Sequence, residues 1–453
     1  MKQLPSAFVE RMQAMLGEAE FANYLASFDE NAVRAFRVNT EKISLADFEK
    51  INPFSETKIP YVENGFYLDY EKVGNHPYHH AGMLYVQDPG AMATAACLTV
   101  QPDWWVLDLC AAPGGKSSQL RNKLGADGVL VANEIVPSRC KILTGNMERL
   151  GFRKTATTCL DSARIAQNFP ETFDMIMVDA PCSGEGMFRK DDTAIREWSV
   201  ENVMHCAQRQ QEILENAVKA LRQGGYIVYA TCTFSLEENE MVIDRFLRDH
   251  TDFALVPVCE AVKLYTADGI SFDGCFCQNL SDARRFYPHK SRGEGQFMAV
   301  LHDTRPSAPR ITPKKSAKDS KIDPIVLDFL KDTLVSYDPT EVSLYNGNPV
   351  YAAPALEMGK GVAFSYGVTI GEIRKNYIQP HHQFFMAMGS QFQRQIELSP
   401  DSAEMERYLR GEEIAVDCEN GWAVITTQGC TVGGVKVVSG RAKNHYPKGL
   451  RKV

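Results

Sequence analysis

What the 453-residue chain lacks narrows its class before any motif is considered. It has no run of eighteen or more apolar residues, so no membrane-spanning helix and no membrane partner are expected. Its start, "MKQLPSAFVERMQAML", has neither an unbroken apolar stretch nor a small-residue cleavage site, which points to a cytoplasmic rather than a secreted protein. The twelve cysteines are scattered, and in a large intracellular chain they are expected to be reduced. Cys275 and Cys277 stand one residue apart, a spacing that fits neither a CxxC redox motif nor a usual zinc pair. The histidines of "NHPYHH" have no acidic partner at metal spacing and read as surface or packing residues in a loop. No metal is expected, and no internal repeat is present.

Net positive charge is also missing. The formal charge is −8, on an ordinary globular composition of 44% hydrophobic and 23% charged residues, with room for two to four domains. The basic residues are concentrated, however. Arg284 to Lys321 holds ten Lys or Arg against three acids, and the tail "RAKNHYPKGLRKV" holds five and no acid. Two such segments can serve RNA in a chain that is acidic elsewhere, or can be solvated and flexible; charge alone leaves both open.

A helical region is expected from Pro5 to about Phe28, followed by a short apolar piece at "AFRVNT". From about Tyr85 to Leu301 apolar runs of strand length, "WWVLDL", "GVLVANEI", "FDMIMVDA", "GGYIVYATCT" and "GQFMAVL", alternate with segments able to form helices. That pattern predicts an α/β fold with a mainly parallel, Rossmann-like sheet covered on both faces, binding its ligand at the carboxyl ends of the strands. After Leu301, "HDTRPSAPRITPKKSAKDSK" reads as a linker. From about Pro380 a helix-prone piece precedes "EIAVDCENGWAVITTQGCTVGGVKVVSG", a small β-rich module. The expected units are 1–75, 76–302 as the catalytic core, 303–323 as a basic linker, 324–379 and 380–453.

The stretch "LDLCAAPGGKSS" resembles a phosphate-binding loop in having Gly115, Lys116 and Ser117. The first glycine of G-x-x-x-x-G-K-[ST] is replaced by Cys110, which counts against a nucleotide hydrolase, although "MIMVDA" has the look of a strand ending in a metal-binding Asp. The other reading is a strand followed by a tight cofactor loop. Ala111, Ala112, Gly114 and Gly115 leave space for a bulky cofactor beside the backbone. Glu134, nineteen residues beyond Gly115, is placed to accept both hydroxyls of a ribose. Asp161 is placed near an adenine amine, though a helix N-cap explains an acid there equally well. Asp179 ends the fourth strand.

Cys182 follows Asp179 by three residues, and Cys232 ends the next strand. Both should face the cofactor pocket from the same edge of the sheet. A lone cysteine at a strand end is more often packing than nucleophile, but two beside a candidate S-adenosylmethionine pocket suggest a reaction. Cytosine C5 is too electron-poor to take a methyl group unaided. A thiolate adding at C6 makes C5 nucleophilic, and a cation such as Lys116 would favour that thiolate.

The pieces "YVQDPGAM", "CAAPGGK", "NEIVPSRCKIL", "DAPCSGEGMFRKD" and "ATCTFSLEENE" resemble those of the Sun family of RNA cytosine-C5 methyltransferases. The linker and the ending "GGVKVVSGRAKNHYPKGLR" are similar to its bacterial small-subunit ribosomal RNA methyltransferase F branch. The resemblance covers almost the whole chain. It implies that Cys232 is the nucleophile, that Cys182 assists release of the product, and that Asp179 lies between cofactor and cytosine. It further implies that Cys110, Ala111, Ala112, Pro113, Gly114, Gly115, Lys116, Glu134, Asp161 and Asp179 hold S-adenosylmethionine, and that residues 1–75 and a PUA-like C-terminal module bind RNA. The expected substrate is 16S ribosomal RNA or the 30S subunit, near the decoding region, and the expected state is a monomer. The same chemistry on transfer RNA is the nearest alternative, and a non-catalytic RNA-binding assembly factor the alternative of another class. Gly90 stands where the family more often has serine.

Overall fold

The computed structural model describes residues 3–307, 309–310 and 322–452, so most of the expected linker, 308 and 311–321, lies outside the described residues. The centre of the molecule is a ten-stranded sheet. Five strands are parallel: β4 (Trp105–Asp108), β5 (Val129–Asn133), β6 (Thr155–Thr158), β7 (Phe173–Asp179) and β8 (Leu221–Thr231), in the spatial order β6-β5-β4-β7-β8. Gln296–Asp303 pairs antiparallel with β8 at one side, and Ala363–Tyr366 pairs antiparallel with β6 at the other. The downstream segment thus contributes a strand to the catalytic sheet.

The period-two alternation of strand side chains fills both faces. Trp105, Leu107, Val129, Val131, Ile176, Val178, Ile227 and Tyr229 enter one core, with the helix Val200–Ala220 over it. Val106, Leu130, Ala132, Met175, Met177 and Val228 enter the other, under the helix Pro137–Leu150. Strand order reverses between β4 and β7, and a crevice for a ligand opens at such a switch point.

The expected amino-terminal helix is two helices, Ser6–Leu16 and Glu18–Ala26. Gly17, at φ +75, breaks them apart in a conformation that side chains with a Cβ rarely adopt. Phe8 and Tyr24 from these helices pack on Phe188, Trp198, Phe234 and Tyr287 of the core domain. A three-stranded antiparallel sheet follows, with β1 (Ala35–Val38) between β2 (Gly65–Tyr67) and β3 (Leu84–Val86). At the carboxyl end, a five-stranded sheet including Gly421–Thr427, Cys430–Val438 and Arg441–Asn444 realises the expected β module.

The two ends of the chain share one hydrophobic cluster, in which Phe36, Phe48 and Phe66 meet Tyr408, Val432 and Val435. The histidines of "NHPYHH" lie in this seam, and Pro77–His80 is a short helix rather than a loop. His80 Nδ1 is 2.8 Å from the Tyr446 hydroxyl, and the His382 ring packs edge-on against Tyr446. Among the described residues no helix is long and apolar enough to cross a membrane.

Burial keeps these imidazoles neutral, lowering His79 to about 2, His382 to about 3 and His80 to about 4. The unfolded rings titrate near about 6.5. Their contribution to stability is therefore complete above about pH 6.5 and is lost as pH falls from there toward the folded values, by about 1.4 kcal/mol per pH unit for each ring. Urea unfolding of the wild-type protein should show a midpoint that drops steadily between about pH 7 and pH 5. A His80→Gln variant should show a shallower drop, and a midpoint that ignores pH over this range would refute the assignment.

Candidate active site

Every residue that the sequence places at a strand end is brought to the carboxyl edge of the parallel sheet. Asp108 closes β4, Glu134 follows β5, Asp161 lies beyond β6, Asp179 closes β7 and Cys232 follows β8. The loops that carry them are tied together by Asn133, which pattern reading passed over. Its side-chain amide donates to the carbonyls of Leu109 and Leu160, at 3.0 and 2.9 Å. Its side-chain oxygen accepts from Thr158 Oγ1 and the Leu160 amide. One side chain thus fixes the ends of three adjacent strands.

The Cys110–Lys116 loop turns tightly into the helix Gly115–Arg121. Gly114 has φ +110, a backbone conformation that side chains with a Cβ rarely adopt, so the turn favours glycine there. Arg139 donates to the Ala112 carbonyl and Asn146 to that of Pro113, holding the loop from the neighbouring helix. Arg37, fully buried on β1, donates to the Gly115 carbonyl and to Ser118 Oγ, both at 2.7 Å, so the amino-terminal module braces the loop from behind. The Glu134 side chain is buried and accepts the Val136 amide at 2.9 Å. Asp161 is an N-cap, accepting the Arg164 amide at 2.8 Å while remaining exposed. Ile135, beside Glu134, is 62% exposed, an apolar surface that the flat face of an aromatic ligand would cover.

Lys116 Nζ reaches across to Asp179 Oδ2 at 2.8 Å. Burial disfavours this ammonium, but the charge and hydrogen bond of Asp179, with Asp108 and Cys232 nearby, outweigh burial and raise its pKa above the ordinary value. A permanent cation is therefore held beside Cys232. Asp108 is fully buried; one oxygen accepts Ser117 Oγ at 2.6 Å and the other has no partner among the described residues. Burial, reinforced by the charge of Asp179, pushes its carboxyl up to about 7.

The sulfurs of Cys182 and Cys232 are 3.4 Å apart. The contact with Cys232 and then burial push the Cys182 thiol well above its ordinary range, so Cys182 keeps its proton. Two buried glutamates hold the pair. Glu238 accepts the Ser183 amide, the Ser183 hydroxyl and Gln210 Nε2, clasping the loop after β7 to the segment after β8. Glu185 does the reverse, accepting the Phe234 amide and Ser235 hydroxyl along with Trp198 Nε1. Burial raises Glu238 to about 7. Sequence reasoning missed both glutamates; the available signal was three acids in the four residues 237–240, too many for a solvated turn that follows a buried strand.

The basic stretch corrects an expectation. Arg285 is buried against Glu240, Arg284 pairs with Asp268, Arg305 with Asp303 and Arg310 with Asp174, so much of the charge counted toward RNA is neutralised within the protein. Lys190 pairs with Asp88, whose carboxylate also accepts the amides of Gly90 and Glu294. A Cβ on Gly90 would lie 2.4 Å from the Glu294 carbonyl oxygen, which explains why serine is absent from this position. All twelve cysteines are free, and among the described residues no group of His, Cys, Asp and Glu is arranged to hold a metal.

Replacing Glu238 by Ala leaves the buried Ser183 amide without its acceptor, while Gln210 keeps the Pro181 carbonyl, at a cost of about 1–3 kcal/mol. Urea unfolding should show Glu238→Ala destabilised within that range and Glu238→Gln less so, with single-turnover methyl transfer slowed in parallel. Unchanged stability and rate in Glu238→Ala would remove its positioning role.

Comparison with known proteins gives a consistent picture along the chain. Residues 95–302 match the family model of the 16S rRNA methyltransferase RsmB/F, residues 4–89 that of the N-terminal domain of 16S rRNA methyltransferase RsmF, and residues 395–452 that of the methyltransferase RsmF PUA domain. The ribosomal RNA small subunit methyltransferase F of Klebsiella pneumoniae (strain 342) is 31% identical over 470 residues, covering 98% of this chain and 96% of the relative. That of Erwinia tasmaniensis is 32% identical over 474 residues, with the same coverage. Among solved structures, a methyltransferase homolog protein from Pyrococcus horikoshii is 28% identical with a TM-score of 0.54, over 66% of this chain and 100% of that one. NSun6 from Pyrococcus horikoshii, solved with SFG, shares the fold at a TM-score of 0.56 and 21% identity, over 67% of this chain and 99% of that one. With an α/β Rossmann-like core, an amino-terminal RsmF domain and a carboxyl-terminal PUA domain, the chain belongs to the ribosomal RNA small subunit methyltransferase F family.

Proposed function

We propose that this chain methylates C5 of a cytidine in 16S ribosomal RNA, with S-adenosylmethionine as methyl donor, through a covalent bond between Cys232 and C6. The single observation that carries the reading is the 3.4 Å approach of two cysteine sulfurs beside the Lys116–Asp179 pair. The residues present suit the cofactor: a tight loop turning at the positive φ of Gly114, a buried glutamate after the next strand, an exposed apolar residue next to it and an unpartnered buried oxygen on Asp108. Cys110 to Lys116, Glu134, Asp161 and Asp179 would hold it. When bound, it supplies an electrophilic methyl group on a sulfonium.

The chain's own residues do the rest. Lys116 carries its positive charge near Cys232, whose sulfur attacks, and the Cys182 sulfur lies 3.4 Å from it. The thiolate electron pair forms the S–C6 bond, and the displaced ring electrons make C5 nucleophilic. After C5 is alkylated, loss of its proton returns an electron pair to the ring and expels Cys232, restoring the double bond and a free thiolate. Cys182 assists this release. The target base must be unpaired or flipped out to reach both sulfurs, at about a few kcal/mol, which contacts elsewhere on the RNA offset.

Transfer of labelled methyl to 30S subunits, naked 16S RNA and bulk transfer RNA tests the substrate, with the modified position mapped by bisulfite sequencing. Label in 30S subunits or 16S RNA is expected; label confined to transfer RNA would refute the ribosomal substrate. Cys232→Ala should abolish transfer, while Cys182→Ala should accumulate a covalent protein–RNA complex on denaturing gels. An adduct trapped through Cys182 in the Cys232→Ala protein would reverse the two roles.

A further inference from the structure

The loop Tyr287–Gly295 keeps Arg292 at the surface, whereas Arg284, Arg285, Arg305 and Arg310 are paired with acids of the fold. Arg292 is exposed, and no carboxylate among the described residues forms an ion pair with it. Its guanidinium carbon lies 4.0 Å from the centre of the Tyr67 ring. The other contacts of this kind in the chain range from 5.0 Å, at Arg310 and Trp105, to 5.9 Å, at Lys58 and Phe66. At 4.0 Å the guanidinium carbon is in van der Waals contact with the ring, which the longer separations do not reach. Tyr67 belongs to the amino-terminal sheet and Arg292 to the catalytic domain, so the pair bridges two modules.

Two further tyrosines complete the surroundings. The rings of Tyr61 and Tyr265 are 5.4 Å apart, and Tyr265 is 40% exposed. Tyr61 is only 6% exposed, and its buried hydroxyl has no hydrogen-bond partner among the described residues. Buried hydroxyls are normally satisfied, and this one lies behind the exposed Tyr265 ring without a partner.

The loop is anchored beside the cysteine pair. The Glu294 amide donates to Asp88 at 3.1 Å. A Cβ on Gly186 would lie 2.6 Å from the Gly295 carbonyl oxygen and 2.9 Å from that of Cys232. Arg292 precedes Gly295 by three residues, which bounds their separation at about 11 Å. An RNA strand that delivers one base to the sulfurs passes close to Arg292.

We infer that Arg292, packed over the Tyr67 ring with Tyr265 beside it, is a stacking platform for an unpaired nucleobase adjacent to the target cytidine. A planar guanidinium with one face on an aromatic ring presents its other face to a base, and RNA bases are held in this way wherever they are unstacked. The platform rests on the reading of the site as one that acts on RNA. It assigns to the junction of the amino-terminal and catalytic modules the contact that keeps the target's neighbour from stacking back onto it.

The test uses the full-length wild-type protein and the variants Arg292→Ala, Arg292→Lys and Tyr265→Ala. Short single-stranded RNAs containing one cytidine carry 2-aminopurine at successive neighbouring positions, and methyl transfer to 16S RNA is followed in parallel. Wild-type protein should quench the fluorophore at one position. Both Arg292 variants should lose that quenching, because lysine keeps the charge but not the plane, and Tyr265→Ala should weaken it. The KM for 16S RNA should rise about five- to a hundredfold in the Arg292 variants, the range that follows from loss of one stacked base. The kcat and the dissociation constant for S-adenosylmethionine should stay within about twofold, showing an intact fold. Equal quenching and KM in wild type and Arg292→Ala would overturn the platform, as would full retention by Arg292→Lys, which points to a phosphate contact. Quenching without any methyl transfer would keep the platform and sink the proposed reaction. Transfer without quenching at any position would do the opposite.

Discussion

Everything at the active edge depends on keeping two sulfur atoms, from loops fifty residues apart, within 3.4 Å of each other. Neither loop makes that distance by itself. Glu238 reaches from the Cys232 side to the Ser183 amide, and Glu185 reaches from the Cys182 side to the Phe234 amide. The two contacts run in opposite directions and form a reciprocal clasp. Glu240 adds a third buried carboxylate, matched by the buried Arg285. Burying three carboxylates is expensive unless each is met by hydrogen bonds or an opposite charge, and here each is. That concentration of buried polar groups sets a unique arrangement where an apolar core would tolerate sliding.

The same edge shows how the cofactor loop and the cysteines are linked. Lys116 leaves the loop and pairs with Asp179, which closes the strand leading to Cys182. The loop in turn is braced from behind by Arg37 of the amino-terminal module. A shift of that module is therefore felt at the loop, at Lys116 and next at the sulfurs, through directly bonded groups and without any long-range path.

The strand ends were legible in the sequence because strand length, apolar runs and the residue after each run are local features. Glu134, Asp161, Asp179 and Cys232 lie along the sheet edge where that reasoning puts them, and Asp108 joins them from the structure. What escaped it was set by partners distant in the chain. Asn133 and Glu238 act on backbone groups of other loops, and no spacing announces such a role. The count of basic residues from Arg284 onward left their role open for the same reason: a sequence does not show which arginines have an acid waiting inside the fold, as Glu240 waits for Arg285. The helical region expected from Pro5 to about Phe28 is divided at Gly17, whose positive φ is a backbone property that hydrophobic periodicity ignores.

The shared core of the two chain ends has a consequence for how the molecule is made. The Cys430 thiol contacts the Lys42 carbonyl across 388 positions, and Phe36 packs in the same cluster as Val432. During synthesis the amino-terminal sheet emerges long before the residues that cover it. Its apolar face must wait, uncovered, until nearly the whole polypeptide has left the ribosome. Contacts of such sequence separation form slowly and expose surfaces prone to aggregation. The amino-terminal sheet therefore gains its apolar cover only when the segment from Met405 to Tyr446 has been made.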